Sequence, residues 1–173
     1  MVREFCDLVH MEKVGEWGEI LGYKRIITAG EWVDVTGERG TARKNAKKAR
    51  KKGLLPVFVA KNVKMAKEGS WVEGAVMDIR TGIDMQVVNV MAEKGVAAMI
   101  TLEYLRTGGK ALWNAATAVR LLHKGRVPVL LSSGAREVEH MRAPREIAAV
   151  GKTLGMSTPM ALSAVSDNWR AVL

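Results

Sequence analysis

Short apolar runs rich in β-branched residues recur along the chain at 4–9, 25–29, 56–60, 74–79, 96–102 and 127–132, with a weaker one at 31–35. Their length and composition are those of strands. Between them the apolar positions switch to helical spacing over 11–21, 41–52, 63–67, 84–94 and 110–124. Most of these stretches stop at a glycine, Gly22, Gly53, Gly69, Gly95 or Gly125, as helices commonly do. From Arg136 onward the pattern is helical again. Pro144 and Pro159 each suit a first helical position, and Leu154-Gly155 marks a helix end between them.

The strand at 56–60, Pro-Val-Phe-Val-Ala, and the one at 127–132 are apolar on both faces. That is expected of a parallel sheet covered by helices, not of an antiparallel sheet with one wet face. The repeated strand–helix alternation therefore predicts an α/β fold. A doubly wound sheet and a β/α barrel both satisfy it. The chain contains no Gly-x-Gly-x-x-Gly turn, and Gly108-Gly109-Lys110 lacks the Walker spacing, which removes the main reason to prefer a nucleotide-binding sheet. A complete eight-unit barrel takes about 250 residues, and about 200 at the low end. With 173 residues, the chain is expected to form a reduced TIM-type β/α barrel with mostly parallel strands, as a single domain over 1–173 that no linker or repeat divides.

Composition narrows the setting. Hydrophobic residues make up 48% and charged ones 26%, so the chain can bury a core and is not disordered. It has no run of about 18 uncharged apolar residues, and the stretch 1–10 carries Glu4 and Asp7 where a signal peptide would be apolar. A soluble, non-secreted protein without a membrane partner is expected. The single cysteine, Cys6, cannot form an internal disulfide, which fits a reducing compartment such as the cytoplasm.

Charge changes the picture most. The chain holds 27 Lys+Arg against 18 Asp+Glu, a net charge of +9, and a polyanion is the first partner to consider. The excess is local. Residues 1–42 sum to −3 and 53–173 to +5, whereas 43–52 alone carry +7 without an acid. On a helix, Ala42, Ala46 and Ala49 form a narrow stripe and the basic residues occupy the rest of the circumference. Thr41 can cap its start and Gly53 its end. A solvated helix face is the plain reading of such a run. Like charges at i+3 and i+4 cost about 0.2–0.5 kcal/mol each, however, so an external anion explains the segment better. Phosphate is the expected anion, met by Lys44, Lys47, Lys48, Arg50, Lys51 and Lys52.

A second set consists of Arg80 and Arg106, each following a strand, and Arg142 and Arg145 around Pro144. In a barrel these four lie near one face, where guanidiniums suit phosphate oxygens. The competing reading pairs each with a local acid, Arg145 with Glu139 or Arg142 with Glu146. Gly134-Ala135 leading to Arg136 could present backbone N–H groups to a phosphate. The three histidines, His10, His123 and His140, are too few and too scattered for a hydrolytic metal centre, and Asp7 with His10 is the nearest approach to one. Ser132-Ser133-Gly134 has no partners spaced for a triad and is expected to shape a turn. Trp17, Trp113 and Trp169 sit in or beside helical patterns and suit core or interface, not base stacking. The ten methionines suit core filling.

In the second half the order of residues becomes specific: Val127-Pro128-Val129-Leu130-Leu131-Ser132-Ser133-Gly134-Ala135, then Met141-Arg142-Ala143-Pro144-Arg145-Glu146, then Leu154-Gly155-Met156. This resembles ribonuclease P protein component 3, the archaeal and eukaryotic 30-kDa protein subunit of ribonuclease P. The similarity extends upstream through Phe5-Cys6-Asp7-Leu8, Leu21-Gly22-Tyr23, the basic helix and Ala92-Glu93-Lys94-Gly95-Val96-Ala97. Ala143 stands where the family usually has a capping serine, and Trp169 where proline follows Asn168. The resemblance implies a barrel related to metal-dependent hydrolases but lacking their metal site. It implies as partners the ribonuclease P RNA, protein component 2 and the other ribonuclease P proteins, with precursor tRNA as substrate. The RNA would remove the 5′ leader with magnesium, and this chain would hold no cofactor and no catalytic residue. A different class of function, a free-standing metal-dependent β/α barrel phosphoesterase using Asp7 and His10, is the alternative.

Overall fold

The structure is a computed structural model that describes residues 3–173; Met1 and Val2 of the amino-terminal stretch lie outside the described residues. Seven short strands alternate with helices: β1 (Cys6–Leu8), α1 (Trp17–Leu21), β2 (Arg25–Ile27), β3 (Trp32–Asp34), α2 (Arg39–Lys51), β4 (Leu55–Ala60), α3 (Val63–Gly69), β5 (Val76–Ile79), α4 (Met85–Lys94), β6 (Ala97–Thr101), α5 (Leu102–Leu105), α6 (Gly109–Lys124), β7 (Val129–Ser132), α7 (Pro144–Thr153), α8 (Thr158–Ala164) and α9 (Asp167–Arg170). Every strand pair is parallel, in two ladders, β1-β2 and β3-β4-β5-β6-β7.

The two ladders adjoin without closing into one hydrogen-bonded ring. Only residues 28–31 separate β2, bonded to β1, from β3, bonded to β4, so this stretch of chain links the two. At the other side β1 meets β7: Gly134 N–H donates to Leu8 O (3.2 Å) and His10 N–H to Ala135 O (2.8 Å). Below that point the two strands diverge, and their edge groups need other partners. Asn168 Nδ2 donates to Val129 O (2.8 Å), Trp169 Nε1 to Leu131 O (3.3 Å), and Cys6 N–H to Val165 O (3.0 Å). The α8–α9 corner thus takes up edge hydrogen-bonding groups of β1 and β7.

Apolarity on both strand faces has its counterpart in two cores. Leu55, Val57 and Val59 of β4 point to an inner cluster with Leu8, Met99 and Leu130, and fully buried Trp169 fills it. Phe58, Met77, Ile100 and Leu131, the alternate residues, pack outward against the helices. A side chain on Gly69 would meet the Phe58 ring at 2.6 Å, so this glycine, the last residue of α3, also admits the helix to the sheet.

Several boundaries differ from the sequence expectation. The helix expected over 11–21 is reduced to α1, because the chain turns at Val14 (Trp17 N–H to Val14 O, 3.3 Å) through Gly15 at φ +54°. α2 starts two residues before Thr41, at the extended backbone of Glu38, so Thr41 lies inside the helix and caps nothing. Its end is as expected, with Leu54 N–H reaching back to Ala49 O and Gly53 N–H to Arg50 O, the paired bonds of a Schellman turn. α5 was not expected; the Thr101 side chain caps it by accepting from Tyr104 N–H. Pro144 occupies the first position of α7, Pro159 the second of α8.

Candidate nucleic-acid interface

The basic segment forms α2, and the alanine stripe explains its attitude. Ala42, Ala46 and Ala49 are buried, leaving every cationic side chain on the outer circumference. The arginines are then tied down. Arg39 pairs with Glu68 (3.3 Å) and lies over the Trp71 ring at 4.6 Å, and Arg43 approaches Glu73 at 3.9 Å. Arg50 Nε donates to Gly74 O at 2.8 Å, and its half-buried guanidinium is pulled below its ordinary pKa by burial. Lys44, Lys47, Lys48, Lys51 and Lys52 are exposed and make no ion pair with the described residues. The division follows from chemistry: a planar guanidinium fork is held by fixed acceptors, whereas a lysine ammonium on a flexible stem stays hydrated. Lys48 and Lys51 fall in the last turn, where the helix dipole offsets part of their repulsion. Of the six residues assigned to phosphate on this helix, five are free and the sixth, Arg50, ties the helix to the β5 side.

Of the four arginines expected to share a face at the strand ends, Arg80 enters a cluster there, but not as a free cation. Arg80 follows β5, and its Nε donates to Asp78 Oδ2 at 2.8 Å while Nη2 lies 3.4 Å from Glu103. Glu103, in α5 beyond β6, also accepts from Arg136, beyond β7, and lies 3.8 Å from His10 Nε2, beyond β1. His10 stands edge-on to Trp32, centroids 5.0 Å apart. Burial pushes Asp78 up to about 6, against the pull of Arg80, and its Oδ1 has no hydrogen-bond partner. Burial lowers His10, so the ring is neutral at pH 7.

Beside this cluster Arg106 and Arg136 line a cleft of about 400 Å³ with Thr107 and His140; Arg106 is exposed and makes no ion pair with the described residues. Arg142 Nη1 donates to the carbonyls of Glu139 (2.8 Å) and Met141 (2.6 Å), and Arg145 is exposed in the first turn of α7. Neither of the local pairs expected for these two, with Glu146 and Glu139, forms. Glu146 accepts instead from Ala143 N–H at 2.8 Å, the half of a capping box that survives when the cap residue is alanine.

Asp7 is the third feature of this end. Its fully buried carboxylate accepts from Leu8 N–H (2.8 Å), Ser132 Oγ (2.9 Å), Ser133 N–H (2.7 Å) and Ser133 Oγ (2.5 Å), joining β1 to β7. Burial raises its pKa to about 6 against these bonds. All this capacity is spent inside the fold, and Asp7 does not face His10's partner Glu103. Among the described residues no three His, Cys, Asp or Glu side chains gather as a metal site would require. Gly134 and Ala135 were expected to offer N–H groups to phosphate. They donate instead to Leu8 O, Ser132 Oγ and Ser133 Oγ, because the serines turn the chain back on β1.

Sequence reasoning missed Glu103 and Asp78. Asp78 had a readable signal, a lone acid in the otherwise apolar strand 76–79 with an arginine two residues on. Glu103 had none, because its partners come from three different strand ends.

Comparison with known proteins decides the family. The sequence profile described as RNase P subunit p30 matches residues 76–173. The chain belongs to the RNase P subunit p30 family. It is therefore a protein subunit of ribonuclease P, a tRNA-processing ribonucleoprotein. Among solved structures it is similar to a chain in the cryo-EM structure of an archaeal ribonuclease P with mature tRNA, at a TM-score of 0.73 and 15% identity, over 99% of this chain and 80% of that one. That likeness shows the reduced barrel. No curated protein matches the chain. Among the described residues no helix is long and apolar enough to cross a membrane.

Proposed function

We propose that this chain serves ribonuclease P as a non-catalytic, RNA-binding subunit. The RNA removes the 5′ leader from precursor tRNA and holds the magnesium, while the protein supplies cations that screen RNA phosphates. The observation that carries the reading is the row of four lysines on α2 with Lys52 at its C-cap, none of them in an ion pair among the described residues. Solvent-directed ammonium groups without protein carboxylates are what a phosphate backbone needs and what an internal ion-pair network does not leave. Arg106, in the cleft beside the Glu103 cluster, and Arg145, exposed in the first turn of α7, make no ion pair among the described residues and extend the surface. Arg80 and Arg142 contribute by shape and field more than by direct contact, since their donors are engaged. The structural neighbour is described with mature tRNA, which supports ribonuclease P RNA, precursor tRNA and the other protein subunits, protein component 2 among them, as partners in the cytoplasm.

The test is reconstitution by omission. Ribonuclease P RNA with the other protein subunits should cleave precursor tRNA poorly without this chain, and fully with it. A variant with Lys44, Lys47, Lys48, Lys51 and Lys52 replaced by alanine should restore cleavage only at low salt. Cleavage by the protein alone, abolished in His10→Ala, would establish the phosphoesterase reading instead.

A further inference from the structure

On another part of the barrel the surface has a different character. Two clefts of about 610 and 550 Å³ adjoin along α6 from Trp113 to its C-terminal end, sharing His123 and Met160. Their lining includes Leu154, Met156, Pro128 and Pro159, and Trp113 stands at one end, 68% exposed. Arg120, Lys124 and Arg126 rise around it, all exposed, and no aspartate or glutamate among the described residues lines either cleft.

Arg126 adds an independent sign. α6 ends in a Schellman turn, with Val127 N–H bonded to Leu122 O and Arg126 N–H to His123 O, which puts Arg126 itself in the left-handed position. At φ +56° it is the sole non-glycine residue with positive φ among the described residues. Glycine would suit that backbone. The glycine of this turn, Gly125, sits one position earlier, where a side chain would collide with Val88. An arginine is thus kept at a strained position on the rim of an apolar groove, and strain of this kind points to function.

We propose that this groove docks an amphipathic, carboxylate-bearing segment of another protein subunit of the same ribonucleoprotein. Its apolar side chains would lie against Trp113 and Met160, and its carboxylates against Arg120, Lys124 and Arg126. The inference rests on the chain working within ribonuclease P. Proline, leucine and methionine linings bury apolar side chains and offer nothing to phosphates, which separates this face from α2. The two faces are also apart: α2 packs on β4 and α3, whereas α6 packs on α4 and α5. A second copy is the competing occupant, because α1 exposes Trp17 and Ile20 beside Glu16 and Glu19. Such a head-to-tail contact would repeat from copy to copy and make an open assembly or a ring, so the segment of a different subunit is favoured.

The experiment titrates the full chain calorimetrically with each of the other purified protein subunits and, separately, with ribonuclease P RNA. Three variants are compared: Arg120→Glu with Lys124→Glu, Trp113→Ala, and Arg126→Gly. The first two should each weaken one protein subunit by about tenfold or more while leaving RNA affinity within about twofold, since one of them changes no charge and the other lies away from α2. Arg126→Gly should raise the thermal midpoint by about 2–4 °C and yet weaken that subunit roughly threefold, a divergence that a purely structural arginine would not produce. Variants that bind every subunit as the wild type does overturn the proposal. A loss confined to RNA would make the groove an RNA surface, and wild-type self-association abolished in the variants would make it a contact between copies; either result overturns it too. A wild-type chain that binds neither RNA nor any subunit removes the functional reading itself, a failure distinct from the other three.

Discussion

α2 and the strand-end rim are both rich in cations, and they handle them in opposite ways. On α2 and at its C-cap five lysines project from a helix whose only buried side is alanine, and none of them meets a carboxylate among the described residues. At the rim, Arg80 and Arg136 share Glu103, Arg80 also holds Asp78, and His10 is neutral. The first region leaves its charge facing solvent; the second consumes it to lock four strand ends together. Net charge therefore measures poorly how much charge is open to an anion, because what counts is charge left without an internal partner. On α2 and at Arg80 and Arg136 the type of cation follows the same division, arginines anchoring and the α2 lysines remaining free, whereas Arg106 and Arg145 are exposed without an ion pair among the described residues.

The comparison can be broken most directly on α2. Replacing Lys44, Lys47, Lys48, Lys51 and Lys52 by alanine should lower the salt slope of RNA binding by about four to five and weaken binding roughly a thousandfold at low salt, with no loss of thermal stability. Filter binding across a salt series reads both quantities, and an unchanged slope would remove α2 from the interface. Arg80→Ala should show the reverse behaviour. It leaves the nearly buried Asp78 carboxylate, whose Oδ1 is already unpartnered, without its cation, which costs about 2–4 kcal/mol in urea unfolding. Its salt slope should move by less than one. A drop of a full unit without destabilisation would show that the rim presents its charge after all.

Smaller effects sharpen the picture. Asp7 and Asp78 both have folded-state pKa values raised to about 6 from an ordinary value of 3.8. Between pH 4 and 6 the folded state therefore binds more protons than the unfolded chain, and stability from these groups falls as pH rises through that window, then levels off. Asp7→Asn removes one of the two. Across that window the variant should gain about 1–3 kcal/mol on the wild type, measured by unfolding at each pH, and a parallel pair of curves would refute the assignment. Smallest of all, Arg145→Ala should lower the RNA salt slope by about one, and Arg142→Ala by less, because that guanidinium is already bonded to Glu139 and Met141 carbonyls.

Much of the fold was legible in the chain. All seven apolar runs became strands, including the weak one at 31–35, and the two-sided apolarity of 56–60 and 127–132 announced a parallel sheet with an inner and an outer core. The basic helix was legible as well, since the spacing of Ala42, Ala46 and Ala49 dictates which side is buried. The rim was legible only as a place. Strand-end arginines could be expected to share a face, but nothing near Arg80 in sequence announces Glu103, and nothing near Arg50 announces Gly74 O. The phosphate role expected of Gly134 and Ala135 failed for the same reason: their acceptors include Leu8, more than a hundred residues away.

The amino-acid sequence by itself determined the α/β alternation and the helix that concentrates positive charge, because each depends on residues within a few positions of one another. Only the tertiary structure decided which cations remain free, that Asp7 joins β1 to β7 through Ser132 and Ser133, and that Trp169 fills the inner core while Trp113 stands in solvent. Those outcomes depend on which side chains the packed strands and helices bring within hydrogen-bond distance. The approach of β1 to the end of β7 sets residues 7 and 133 side by side, and no local spacing in the chain carries that information.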